Sequence, residues 1–147
     1  MAFFTSEYEC KLDAKGRLVL PAKIKANLPE VSGKELFVMK GFDSNLVLYT
    51  MLEYKKVHNK FQALSDYNAD SRKLKRNFFR KVAPVELDSA GRFLIPKSWI
   101  DHAKLEKNVI VVGTGNTIEI WSPAIYDNYL IEDNEEYSDL AKKFLDE

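Results

Sequence analysis

The sequence predicts a mainly β protein with peripheral helices, assembled from two copies of one small unit. Three observations carry that prediction. Leu12-Asp13-Ala14-Lys15-Gly16-Arg17-Leu18-Val19-Leu20-Pro21 returns as Leu87-Asp88-Ser89-Ala90-Gly91-Arg92-Phe93-Leu94-Ile95-Pro96, an offset of 75. A second block, Met39 to Tyr49, returns in the same order as Val111 to Trp121, now at an offset of 72. Within each copy apolar and polar residues alternate with the period of a half-buried strand.

Each copy opens on such a strand. Tyr8, Cys10 and Leu12 alternate with Glu7, Glu9 and Lys11, and Ala83, Val85 and Leu87 hold the matching places, where Pro84 restricts its strand to an edge or a start. Asp13 and Asp88 then stand where a carboxylate caps a turn, and Gly16 and Gly91 follow at a position that tolerates positive φ. This is hairpin chemistry, with a return strand over Arg17 to Leu20 and Arg92 to Ile95. Pro21 and Pro96 suit the first turn of short helices over about 21–28 and 96–105. The three residues lost between the two blocks are assigned to a loop. A second hairpin closes each unit, Leu36 to Met39 with Leu46 to Tyr49 and Val109 to Val112 with Ile118 to Trp121.

The helices outside the units have their own start signals. Thr50-Met51-Leu52-Glu53 has capping-box spacing and opens a helix to about Leu64, Asp70 caps another to about Lys81, and Ser122-Pro123 caps one to about Ile131. Residues 132–147, with seven acids and two lysines, either form a last short helix or fray. The chain thus divides into a first repeat (5–50), a helical connector (51–79), a second repeat (80–122) and a C-terminal helix with an acidic tail (123–147). A unit of about 45 residues is too small to bury much core alone, so the two copies must pack or interleave about a pseudo-twofold axis.

Composition excludes several classes. Of 147 residues 46% are hydrophobic and 12% aromatic, enough for a core and against overall disorder. No apolar run reaches the roughly 18 residues of a membrane span, and Met1 to Glu7 has no basic segment before a hydrophobic stretch, which predicts a cytosolic protein. Cys10 alone forms no internal disulfide, and with His58 and His102 it gives no zinc-ligand spacing. Gly113-Thr114-Gly115 reads as a hairpin turn rather than a nucleotide loop, and nothing resembles a nucleophile elbow or a helical His-Glu pair. The expectation is a protein with no catalytic residues, no metal, no cofactor, no small-molecule substrate and no membrane partner.

The zero net charge hides a polarity. Residues 1–81 carry 16 basic and 9 acidic side chains, whereas residues 82–147 carry 6 and 13. Turn formation explains Asp and Gly in the repeated Asp-x-x-Gly-Arg, but not why arginine follows glycine twice. Arg17 and Arg92 at hairpin tips can present a guanidinium fork to a carboxylate, a phosphate or the O6 and N7 of guanine, and two-stranded ribbons fit a major groove. The competing reading is that each arginine merely braces its turn through Asp13 or Asp88. Lys11, Lys15, Arg17, Lys23 and Lys25 against Asp13 make residues 11–25 suited to a polyanion; Ala90 and Ser98 replace Lys15 and Lys23 in the second copy, which predicts a weaker face there. Arg72, Lys73, Lys75, Arg76, Arg80 and Lys81 form the longest basic run. Leu74, Phe78 and Val82 give it an apolar stripe, hence an amphipathic helix with a solvated basic face.

The doubled Leu-Asp-x-x-Gly-Arg, each followed by a strand and a proline and each copy followed by helices, resembles the MraZ family, tandem members of the AbrB-like swapped-hairpin superfamily. The likeness spans Phe4 to Tyr129. It implies two AbrB-like units intertwined as a double-split β-barrel, with protomers assembled into a homo-oligomeric ring. It further implies a sequence-specific DNA-binding transcriptional regulator, usually a repressor, on direct repeats upstream of the division and cell-wall gene cluster and its own promoter, associated with the nucleoid in the cytoplasm. The family motif falls on Asp13 and Arg17 and on Asp88 and Arg92. Arg17 is then assigned to guanine readout, Lys15 and Lys23 to phosphates of double-stranded DNA, and Asp13 to orienting the tip, with Arg92 and Asp88 as a second set. The alternative is a ring scaffold or antitoxin-like interaction module whose arginines seize carboxylates of a protein; it lacks a salt-dependent affinity for random duplex DNA.

Overall fold

Ladders that form between the repeats, not within them, organise the computed structural model, which describes residues 3–29 and 35–145. In chain order the elements are β1 (Glu7–Lys11), β2 (Arg17–Val19), α1 (Ala22–Ala26), β3 (Glu35–Lys40), β4 (Leu46–Thr50), α2 (Met51–Gln62) and α3 (Ala69–Phe79). The second half continues with β5 (Val82–Glu86), β6 (Arg92–Leu94), α4 (Lys97–Ala103), β7 (Asn108–Gly113), β8 (Ile118–Trp121), α5 (Pro123–Tyr126), a 3₁₀ turn (Asp127–Tyr129) and α6 (Asn134–Leu145).

Six strands form one antiparallel sheet in the order β1-β7-β8-β4-β3-β5, and β2 pairs with β6 in a separate two-stranded ribbon. Exchanging the two copies maps this order onto itself. The pseudo-twofold axis therefore passes through the pair Val47 and Glu119 at the centre of the sheet and through Leu18 and Phe93 at the centre of the ribbon. With β2 against β1 and β6 against β5, the ribbon lies over the sheet and closes a core that includes Phe4, Leu18, Ile24, Phe93, Ile95 and Ile118. Burying each large apolar side chain is worth about 1.5–3 kcal/mol. The chain is thus mainly β with a few helices, in two intertwined units.

Interleaving corrects the local hairpin. The turn at Asp13 closes, with Asp13 N–H donating to Arg17 O at 2.9 Å, yet β1 and β2 share only the single bridge Leu12 to Leu18. β1 instead pairs along its length with β7 and β5 with β3. Splaying the two arms lets Leu12 and Leu18 both enter the shared core while the other repeat satisfies their backbones. β5 is an edge strand, where the missing N–H of Pro84 is tolerated. The second hairpins, β3 with β4 and β7 with β8, are local as expected. The length difference between the copies falls in the α1–β3 connection, which contains residues 30–34 outside the described set.

The helices differ in detail from their start signals. Thr50 Oγ1 accepts from Glu53 N–H at 3.4 Å, but the Glu53 carboxylate turns to Lys56 and Asn116, each at 3.0 Å, so only half a capping box forms. Asn68, not Asp70, caps α3, its Oδ1 accepting from the N–H groups of Asp70 (2.8 Å) and Ser71 (3.1 Å). The apolar stripe on α3 is also broken. Phe78 packs with Met39 and Tyr54, but Leu74 is exposed, and Val82 lies past the helix end in β5. The helix begun at Pro123 stops at Tyr126, without a side-chain cap from Ser122, because Tyr126 and Tyr129 fold onto Trp121 and Tyr126 Oη donates to Glu7 Oε1 at 2.8 Å. Burial and the Glu7 carboxylate push the Tyr126 phenol up to about 12. α6 does form, with Tyr137, Leu140, Phe144 and Leu145 exposed. No helix among the described residues is long and apolar enough to cross a membrane.

Candidate nucleic-acid interface

The two Asp-x-x-Gly-Arg turns have one geometry. Asp13 Oδ1 accepts from the N–H groups of Lys15 and Arg17, both at 2.9 Å, while Oδ2 accepts from Arg17 Nε at 2.8 Å. Asp88 repeats the set with Ala90 N–H, Arg92 N–H and Arg92 Nε, all at 2.9 Å. Gly16 (φ 86°) and Gly91 (φ 77°) turn the chain through the left-handed region that side chains resist. The backbone amide of the arginine, its guanidinium and the next amide along the turn hold both carboxyls below their ordinary range.

The bracing reading of the arginine is therefore realised in part. The Nε–H braces the turn, so the whole guanidinium does not stand clear. The terminal Nη1 and Nη2 groups make no hydrogen bond among the described residues, and the side chains keep 33% (Arg17) and 35% (Arg92) of their accessibility. A guanidinium gripped at Nε presents its remaining fork in a fixed direction, which lowers the ordering cost of a bidentate contact. The exposed ion pair itself adds little stability, because water screens it.

The ribbon brings the two tips onto one face. Arg17 stands opposite Leu94 and Val19 opposite Arg92, on either side of the inward-pointing pair Leu18 and Phe93. Strand alternation places Arg17, Val19, Arg92 and Leu94 together outside, with the two arginines as diagonal neighbours about 7–8 Å apart. Val19 and Leu94 are 49% and 57% exposed between them. Each turn is also tied to the opposite repeat, Leu20 N–H donating to Gly91 O at 3.1 Å and Ile95 N–H to Gly16 O at 2.8 Å.

Helices cover the turns crosswise. Ile100 of α4 lies over Gly16, and Lys25 of α1 lies over Gly91. Lys15 sits exposed in the first turn beside Asp13 and Arg17, but Lys23 is exposed on α1, the helix that covers the second turn. Sequence reasoning counted Lys25 only as local charge and missed Val19 and Leu94 altogether, since each gains its place from a partner about 75 residues away. The basic face of α3 lies apart from the ribbon, and its Lys75 pairs with Asp66 at 3.1 Å. His58 packs between Tyr54 and Phe79, His102 Nε2 lies 3.1 Å from Asp43 O, and burial pushes the Cys10 thiol up. Among the described residues no three His, Cys, Asp or Glu side chains gather as metal ligands.

Comparison with known proteins extends over both halves. The family model described as "MraZ protein, putative antitoxin-like" matches residues 3–77 and again 78–146. A "Transcriptional regulator MraZ" of Cytophaga hutchinsonii is 50% identical over 145 residues, covering 99% of this chain and 96% of that protein. Proteins of the same name from Carboxydothermus hydrogenoformans and Alkaliphilus oremlandii are 37% and 38% identical, over 97% and 95% of both chains.

Proposed function

The chain belongs to the MraZ family in both of its halves, and from that premise we propose that it is a transcriptional regulator that binds double-stranded DNA sequence-specifically through the outer face of its β2–β6 ribbon. The observation that carries this reading is the pair of guanidinium forks, each gripped at Nε by its own aspartate and set on one surface. Arg17 and Arg92 are assigned to guanine edges, Asp13 and Asp88 to aiming them, and Lys15 and Lys23 to phosphates. The sites are short direct repeats upstream of the division and cell-wall gene cluster and the protein's own promoter, where it acts as a repressor on the nucleoid in the cytoplasm.

A homo-oligomer, arranged as a ring, belongs to the same reading. One chain offers two tips, so several protomers meeting spaced repeats convert modest contacts into avidity. The exposed apolar side chains of α6 give protomers a surface to share. A footprint of the purified protein on its own upstream region tests the reading: protection of regularly spaced repeats supports it, and none at any salt concentration rejects it.

Val19 and Leu94, exposed between the arginines, favour a second reading, a scaffold or antitoxin-like module whose ribbon grips a partner protein. Binding to random duplex DNA separates the two, because a scaffold shows no dependence of affinity on salt.

A further inference from the structure

Lys25 and Ile100 are equivalent positions, each four residues after the proline that follows its ribbon strand. Interleaving sends them to opposite turns. A Cβ placed on Gly16 would lie 3.1 Å from Ile100 Cδ1, whereas one on Gly91 would lie 3.1 Å from Lys25 Nζ and 3.2 Å from its Cδ. The lysine stem thus lies along the second turn and delivers its ammonium there, while an isoleucine does the equivalent packing at the first.

This alters the charge of the tips. Each Asp–Arg pair sums to zero, so attraction to a polyanion depends on what else stands beside it. The first turn has Lys15 at its apex; the second has Ala90 there and is neutral by its own residues. With Lys25 laid against it, the second turn too has a cation in direct contact that no carboxylate pairs among the described residues. We propose that Lys25 of the first repeat is a phosphate-contacting residue of the second tip, so that the two turns of one chain are comparable DNA contacts rather than a strong and a weak one. The proposal rests on the DNA-binding reading above and names a residue that the Asp-x-x-Gly-Arg pattern does not include.

The test uses the full-length protein and a fluorescent duplex carrying its upstream region, with affinity followed against salt concentration. Lys25→Met keeps the stem over Gly91 and removes the charge; Lys25→Arg keeps both; Lys15→Ala is the reference and Lys60→Ala, on α2, the control. Lys25→Met is expected to reduce the slope of log K against log salt by about 0.9 for each Lys25 engaged, as Lys15→Ala does, with Lys25→Arg and Lys60→Ala near the native slope. An unchanged slope for Lys25→Met beside a reduced one for Lys15→Ala overturns the assignment of Lys25 and leaves DNA binding standing. Absence of salt-dependent binding by the native protein overturns both.

Discussion

Arg17 and Arg92 stand diagonally across the β2–β6 ribbon, each directly opposite an exposed aliphatic side chain of the other repeat, Leu94 and Val19 respectively. Two turns 75 residues apart thereby become one surface. Its order follows from the pair at its centre: Leu18 and Phe93, both almost fully buried, anchor the ribbon to the core, and strand alternation turns their neighbours outward.

Each arginine is therefore expected to matter on its own. Arg17→Ala and Arg92→Ala should each weaken binding to the upstream duplex by about 5- to 150-fold at fixed salt, the range of one bidentate base contact of about 1–3 kcal/mol, while affinity for random duplex falls less. Gel shifts with specific and scrambled duplexes measure this, and light scattering should show both variants at the size of the native protein. Equal loss on both duplexes would reduce the arginines to phosphate contacts.

Asp13 and Asp88 tie the tips to pH. Their carboxyls titrate below the ordinary carboxylate range, first because the backbone amides of Arg17 and Arg92 donate to them. A group whose pKa is lower folded than unfolded contributes stability that is present above the unfolded value, about 3.9, and lost as pH falls through the folded one. The stability lead of the native protein over Asp13→Asn should be constant from about pH 7 to 5 and close below about pH 4, as read by urea unfolding across that range. A lead that persists into strong acid would place its origin elsewhere.

Interleaving makes the halves interdependent. A fragment of residues 1–77 has β1 without β7, β3 without β5 and β2 without β6, so it is expected to be either unfolded or a self-paired dimer. Circular dichroism and light scattering distinguish these from a folded monomer, which the topology forbids. In the full chain Leu18→Ala should cost about 2–5 kcal/mol and preserve a single unfolding transition, because the cavity lies where both repeats meet.

What the sequence made legible was local. Asp13 and Gly16 announce their turn because a carboxylate accepting from amides two and four residues on, and a positive φ, are conditions set within five residues. The second hairpins and the alternation through Tyr8, Cys10 and Leu12 are equally short-range. Pairing of β2 with β6 is not, since no local pattern tells Leu18 that it will face Phe93 rather than continue a hairpin with β1. The cation over Gly91 was hidden for the same reason: Lys25 looks like part of the first tip until the cross-pairing carries α1 to the second. At α3 the cap is Asn68, two positions before the Asp70 that the sequence suggested, and the stripe fails at both ends, with Leu74 exposed and Val82 past the end of the helix.

Gly91→Ala should strain the second turn and displace the lysine that lies on it. The residue sits at φ 77°, and its new methyl would meet the Lys25 stem at 3.1–3.4 Å. A cost of about 1–2 kcal/mol is expected from the left-handed conformation alone. Measured by thermal unfolding with binding in parallel, Gly91→Ala combined with Lys25→Ala should recover neither the stability, since the strain lies in the backbone, nor the affinity.

The most direct test of the ribbon as the DNA-contacting face is photocrosslinking from within it. A benzophenone side chain at Leu94, compared with one at exposed Leu74 on the basic helix α3, is irradiated with the upstream duplex bound. Covalent DNA from position 94 and little from position 74 is the predicted result; the reverse pattern would move the contact to α3 and remove the arginine turns from it.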